Sequence, residues 1–205
     1  MTDYHSKFEF EKYYHIFNRG NNRENIFRDK GNYQYFLSKW ERYIDPFADI
    51  LSYCLMPNHF HFLIRVKSEN CLSESLPKPQ ILGKTDNINL VLEEQFKKLF
   101  MSYALAFNKQ QSRVGSLFQK RFKRIEVNSD NYLSQIITYI HNNPVHHGFV
   151  KDYSDWEYSS YNEILMDSVS LINKEYVLNW FGGRKSFIEY HAAKLFKRGT
   201  EFEIE

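Results

Sequence analysis

An α+β fold, an antiparallel β-sheet covered by helices, is predicted by three observations. Residues His59-Phe60-His61-Phe62-Leu63-Ile64-Arg65-Val66 alternate in character. This marks a strand with one face on a core, because successive strand side chains point to opposite faces. Two stretches, Tyr33 to Ile44 and Leu90 to Phe107, instead repeat their apolar residues at helical spacing. Finally, the strand candidates are separated either by one helix or by a tight turn, a spacing that does not suit a parallel doubly wound sheet.

Taken in order, residues 1–12 are polar and charged, with loose order expected. Tyr13-Tyr14-His15-Ile16-Phe17 is β-prone and stops at the turn signal Asn18-Arg19-Gly20-Asn21-Asn22. The helix from Tyr33 carries Phe36, Leu37, Trp40, Tyr43 and Ile44 along one side and ends before Pro46. Ile50 to Met56 forms a second strand, and Pro57-Asn58 turns the chain into the His59 strand as a hairpin. Residues 68–89 show no sustained period and read as a mobile loop.

In the helix from Leu90, an apolar stripe includes Leu92, Phe96, Leu99, Phe100 and Tyr103. Leu117 to Val127, after Gly115, reads as a strand of mixed character. Ser129-Asp130 supplies an N-cap for a helix over Asn131 to Asn142, and Pro144 is expected to end it at Asn143. Val145 to Val150 is then a connector, and Asp155 to Tyr161 a compact aromatic segment. Two short helices, Lys174 to Trp180 and Lys185 to Phe196, are split by Gly182-Gly183 and form a small C-terminal appendage. Strand, helix, hairpin, helix, strand, helix is the order expected of a ferredoxin-like antiparallel sheet covered by helices.

At 205 residues the chain is long enough for one well-buried core. Aromatic content is high, 18%, with 18 Phe and 15 Tyr, so some rings are available as surface stacking platforms. The formal net charge is only +2, so any case for nucleic acid rests on local clusters. Cys54 and Cys71 make no disulfide framework, consistent with a reducing cytoplasm. Neither an N-terminal apolar signal segment nor a membrane-length apolar run is present, so a soluble, cytoplasmic protein is expected. The lack of a Gly-rich phosphate loop disfavours nucleoside-triphosphate chemistry.

His59 and His61 lie one pleat apart on the same strand face, a geometry that lets two nitrogens hold one metal ion with positions left open. Two partly buried histidines needing no metal would give the same isolated pattern. On the predicted helix, Tyr139 and Asn143 are neighbours at i, i+4, placing a phenol one turn before an amide oxygen. Taken singly, such a tyrosine is usually core and an Asn before Pro usually a helix cap.

Together, Met56-Pro57-Asn58-His59-Phe60-His61, Tyr139-Ile140-His141-Asn142-Asn143-Pro144-Val145, Gly148, and Asp155-Trp156-Glu157-Tyr158-Ser159-Ser160-Tyr161 resemble the IS200-like transposases. Within them the resemblance is to the REP-associated tyrosine transposases, and it runs from about Tyr13 to Tyr161. It implies the His-hydrophobic-His (HUH) motif of single-tyrosine DNA nucleases. On that basis His59 and His61 are metal ligands, Tyr139 the nucleophile and Asn143 the third ligand, with His141 and Asn142 as adjacent candidates. Residues 1–161 are then the catalytic domain and 162–205 a helical appendage. The implied cofactor is a divalent metal, Mg²⁺ or Mn²⁺, and the implied partner single-stranded, hairpin-forming DNA. Relatives work as homodimers that exchange the tyrosine helix or as monomers, so either state is open.

The implied chemistry is attack of Tyr139 on a scissile phosphate, giving a 5′-phosphotyrosine and a free 3′-hydroxyl. Imidazole ligands must be neutral, so activity is expected to fall at acid pH. Lys109, Arg113, Lys120, Arg121, Lys123 and Arg124, interleaved with Phe118 and Phe122, read either as a solvated face or as a track for phosphates and unstacked bases. The resemblance favours the track, with Arg19 and Arg23 as further candidates. The competing reading is a DNA-hairpin-binding protein without catalysis. A hydrolase of small phosphoesters would need a water-activating base and leaves the basic aromatic stretch unexplained.

Overall fold

The computed structural model describes residues 3–75 and 87–194. Four strands form one antiparallel sheet: β1 (Tyr13–Arg19), β2 (Ala48–Met56), β3 (His59–Val66) and β4 (Lys123–Val127), in the order β2-β3-β1-β4. Seven helices accompany it among the described residues: α1 (Lys30–Tyr43), α2 (Glu69–Ser75), α3 (Ile88–Gln110), α4 (Asp130–His146), α5 (Ser160–Leu165), α6 (Lys174–Trp180) and α7 (Arg184–Ala193). This is the expected ferredoxin-like order, with β1 and β3 central.

Pleating divides the sheet into two faces. Tyr14, Ile16, Phe60, Phe62 and Ile64 point to the side covered by α1 and α3, where Trp40 stacks on Phe62 at 3.6 Å and Phe100 on Phe60 at 5.9 Å. The α1 turn is fixed by Asp29, whose carboxylate accepts from Asn32 N–H at 3.0 Å. The opposite face carries His15, Phe17, His59, His61 and Leu63, and α4 crosses it over β2 and β3.

Both sheet edges are covered. Residues 156–160 run beside β2: Leu55 N–H donates to Tyr158 O at 2.9 Å, Trp156 Nε1 to Leu55 O at 3.0 Å, and Tyr53 N–H to Ser160 Oγ at 2.9 Å. Tyr158 stacks on Tyr33 at 3.6 Å, so its ring serves packing. On the other edge, Arg124 N–H donates to Tyr4 O.

Three expectations need correction. The helix expected to stop at Asn143 runs through Pro144 to His146. Proline costs a helix its own N–H bond and crowds the preceding turn, but only the final turn is involved here. His147 N–H still donates to Asn143 O, and Phe149 N–H to Pro144 O. The strand expected over Leu117 to Val127 begins only at Lys123. Gln119 N–H still pairs with Arg19 O, but Arg121 is left-handed (φ 59°) and breaks the ladder. Within the expected loop 68–89, Glu69–Ser75 is helical, anchored by buried Leu72; one apolar contact leaves no period to read. The far end of that expected loop is helical too, since α3 begins at Ile88; residues 76–86 and 195–205 lie outside the described residues, and with them the middle of the loop and the end of the predicted last helix.

Helices α5–α7 do not form a separate core. Tyr161, Ile164, Ile172, Val177 and Phe187 belong to the same buried cluster as the sheet. Asn173 N–H donates to Ile50 O, joining this segment to β2.

Candidate active site

Register, not sequence adjacency, assembles the strand half of the site. His61 lies opposite Phe17 on β1 and His59 opposite Arg19, while Lys123 of β4 faces Phe17 from the other side. Both imidazoles are buried, with ring centroids 5.4 Å apart and planes nearly perpendicular. Each has its Nδ1 held. His59 Nδ1 lies 2.6 Å from Asn58 Oδ1; an amide oxygen only accepts, so His59 carries its proton on Nδ1 and offers Nε2. His61 Nδ1 lies 3.0 Å from His15 Nε2. Fixing one ring nitrogen so that the other faces a ligand is what an orienting outer shell does at a metal site. His15, fully buried, is held well below the usual imidazole range by desolvation and then by the neighbouring His61.

Helix α4 supplies the other half. Ser129 Oγ accepts from Tyr132 N–H and starts the helix, whose buried side includes Ile136, Ile140 and the candidate pair. Tyr139 meets His61 edge-on at 5.8 Å between centroids and His15 at 6.2 Å. Two turns on, His147 meets His59 edge-on at 4.8 Å. Residues 139, 143 and 147 follow one helix face at i, i+4 and i+8. Asn143 therefore stands between Tyr139 and His147 on that face. Its amide nitrogen donates to Tyr139 O at 2.9 Å, and its buried Oδ1 has no hydrogen-bond partner among the described residues.

Two imidazole nitrogens and one amide oxygen fit a borderline or hard divalent ion with room for further ligands. Among the described residues, no group of three or more His, Cys, Asp or Glu is placed to hold a metal. Asn143 Oδ1 is the candidate third donor that the helix face offers. An amide oxygen buried without a hydrogen bond is costly in a core, and ligation would satisfy it.

A cavity of about 130 Å³ opens over the histidines, lined by Phe17, Asn18, Arg19, His59, His61, Gln119, Lys120, Arg121 and Lys123. Four of the eight expected DNA-contacting cations thus ring it, and among the described residues no carboxylate does. Arg23 and Lys109 are exposed elsewhere on the surface. Arg113 is bound by Glu24 at 2.8 Å and Asn108 at 2.9 Å. Arg124 points into the protein, paired with Glu93 at 2.6 Å and Ser6 O at 2.5 Å, its guanidinium over Phe8. Sequence reading passed over His15, Asn58, His147, Asn18 and Gln119. The only signal available for His15 was its place in a β-prone run, and its role appears only with strand register.

Comparison with known proteins bears on this arrangement. Residues 9–78 match the family model "Transposase IS200 like". A curated relative, the putative REP-associated tyrosine transposase of Haemophilus influenzae (strain ATCC 51907 / DSM 11121 / KW20 / Rd), is 29% identical over 122 residues. That match covers 57% of this chain and 60% of the relative, so the chain spans less than two thirds of the relative's length. A solved REP-associated tyrosine transposase bound to a REP hairpin superposes with a TM-score of 0.54 at 17% identity, covering 80% of this chain and 86% of that one. At that identity the likeness establishes the fold.

Proposed function

We propose that this chain, whose residues 9–78 match the family model for IS200-like transposases, is a metal-dependent single-strand DNA endonuclease and strand transferase acting at hairpin-associated sites. The observation that carries this reading is the passage of one face of α4 over β3, with Tyr139 beside His61 and His147 beside His59. Asn143 lies between them. Tyr139 and His61 meet within this chain, a geometry that fits Tyr139 acting in cis.

His59 Nε2, His61 Nε2 and Asn143 Oδ1 would hold a divalent cation such as Mg²⁺ or Mn²⁺. When bound, it supplies neutralisation of the charge that builds on a scissile phosphate. Asn58 and His15 orient the two rings through their Nδ1 atoms. Tyr139 gives up its phenolic proton, and its oxygen bonds to phosphorus as the bond from phosphorus to the 3′-oxygen breaks. That oxygen takes a proton and leaves as a 3′-hydroxyl. The protein keeps the 5′-phosphate as a phosphotyrosine ester, so the bond energy is retained for a later joining step. Arg19, Lys120, Arg121 and Lys123 flank the cavity and would bind phosphates on either side of the break. Among the described residues no Asp or Glu lines the cavity to activate water for a small phosphoester.

The test is cleavage of end-labelled single-stranded hairpin oligonucleotides with Mg²⁺ or Mn²⁺. The proposal expects a 5′-labelled fragment released with a free 3′-hydroxyl, a 3′-labelled fragment retained by protein, and loss of both on chelation. Tight hairpin binding without cleavage under any divalent ion would instead support the non-catalytic DNA-binding reading.

A further inference from the structure

On the far side of α4 from Tyr139 lies a buried chain of polar contacts that the proposed chemistry does not use. His191, on α7, places its Nδ1 2.8 Å from Phe187 O, and its Nε2 2.9 Å from His141 Nδ1. His141, on α4, places its Nε2 2.7 Å from Ser160 Oγ, which in turn accepts from Tyr53 N–H on β2 at 2.9 Å. Hydrogen-bond chemistry sets the direction along the chain, although the Ser160 hydroxyl also lies 3.3 Å from Tyr53 O. A carbonyl only accepts, so His191 is protonated on Nδ1. Burial keeps both rings neutral, so His191 Nε2 accepts from His141 Nδ1–H. His141 Nε2 then accepts from the Ser160 hydroxyl.

All of these groups are buried: His141 and Ser160 are 0% exposed and His191 1%. The aromatic rings of Phe187, at 4.2 Å, and Tyr161, at 5.2 Å, close round His191. The chain therefore ties α7, α4 and β2 into one unit. It grips α4 at residue 141, midway between Tyr139 and Asn143, which lie two residues to either side and point to the other face.

We propose that His191 is a positioning residue, through which the C-terminal helix sets the placement of Tyr139 over the histidine pair. This deepens the nuclease reading and rests on it for any effect on catalysis. The positional claim itself is separable.

The experiment introduces 3-fluorotyrosine at position 139 and compares wild type, His191→Leu and His191→Gln in the full chain by ¹⁹F NMR. In parallel, hairpin DNA affinity and the rate of covalent adduct formation at saturating DNA are measured. Leu fills the space but leaves His141 Nδ1–H without an acceptor, whereas Gln returns an oxygen to it. The expected result is a shifted or broadened Tyr139 resonance in His191→Leu and a wild-type resonance in His191→Gln. Adduct formation should slow by about tenfold or more in His191→Leu at unchanged DNA affinity, since small displacements of a reacting group are costly. Should His191→Leu not fold, Ser160→Ala removes the contact at the other nitrogen of His141 and is expected to show the same shift. An unchanged Tyr139 resonance in a folded variant overturns the proposal. A wild-type protein that forms no adduct counts against the nuclease reading, and the resonance still decides this one.

Discussion

Basic residues of similar appearance in sequence do different work in the fold. Arg121 and Lys120 line the cavity above His59 and His61, whereas Arg124 is buried against Glu93, Ser6 and Phe8. Arg121→Ala should weaken hairpin binding and lower the salt slope by about one, the loss of one phosphate contact, with stability nearly unchanged. Arg124→Ala should instead cost on the order of 2 kcal/mol of stability in denaturant titration, by stranding acceptors that its guanidinium satisfies. Lower affinity without lower stability in Arg124→Ala would reverse this assignment. His59→Ala and His61→Ala should each remove divalent-ion binding, read by calorimetry, while the domain stays folded. Unaltered ion binding in either variant would remove that imidazole from the ligand set. The histidine pair and the Tyr139–Asn143 pair were legible because each is set by the local period of one element. His15 and Asn58 were not, since what they orient depends on strand pairing and side-chain contact across elements.

At the scale of elements, the turn after β1 shows why close approach matters. At Gly20 an added Cβ would lie 2.2 Å from Glu24 O and 3.0 Å from Ile26 Cγ2, while Gly20 N–H donates to Asn58 O at 2.8 Å. Gly20→Ala is therefore expected to cost roughly 1–3 kcal/mol through backbone displacement. It should also loosen the residue that holds His59. A melting temperature equal to wild type would show that the turn yields easily. The strand and helix periods located β1, β3, α1 and α3 well. Pro144 misled because its steric rule is strong inside a helix and weak in a last turn, where three-dimensional packing keeps residues 143–146 helical. The break at Arg121 was equally hidden, since no local pattern marks a non-glycine residue held at positive φ.

For the molecule as a whole, the C-terminal helices share the sheet's core, and their buried histidines couple stability to pH. Desolvation, opposed by the Phe187 carbonyl, lowers the His191 pKa to about 4 from the ordinary 6.5, and His141 is lowered as well. The unfolded chain therefore binds more protons than the folded one between these values. The stabilisation is present in full above pH 6.5 and is lost as pH falls toward 4, on the order of 3 kcal/mol for His191 alone. His191→Gln should flatten this acid limb in urea titrations across that range; an unchanged limb would assign it to other groups. The near-neutral charge of the chain gave no hint of a basic cavity, because the cations around it are offset by carboxylates elsewhere.

Intact mass spectrometry of the wild-type protein after incubation with single-stranded, hairpin-containing DNA and Mn²⁺ tests the central claim most directly. The account predicts a protein species heavier by one cleaved strand, with the nucleotide mapped by peptide digestion to Tyr139 and absent from Tyr139→Phe, which still binds the hairpin. Cleavage that leaves no covalent species, or an adduct that persists in Tyr139→Phe, would contradict it.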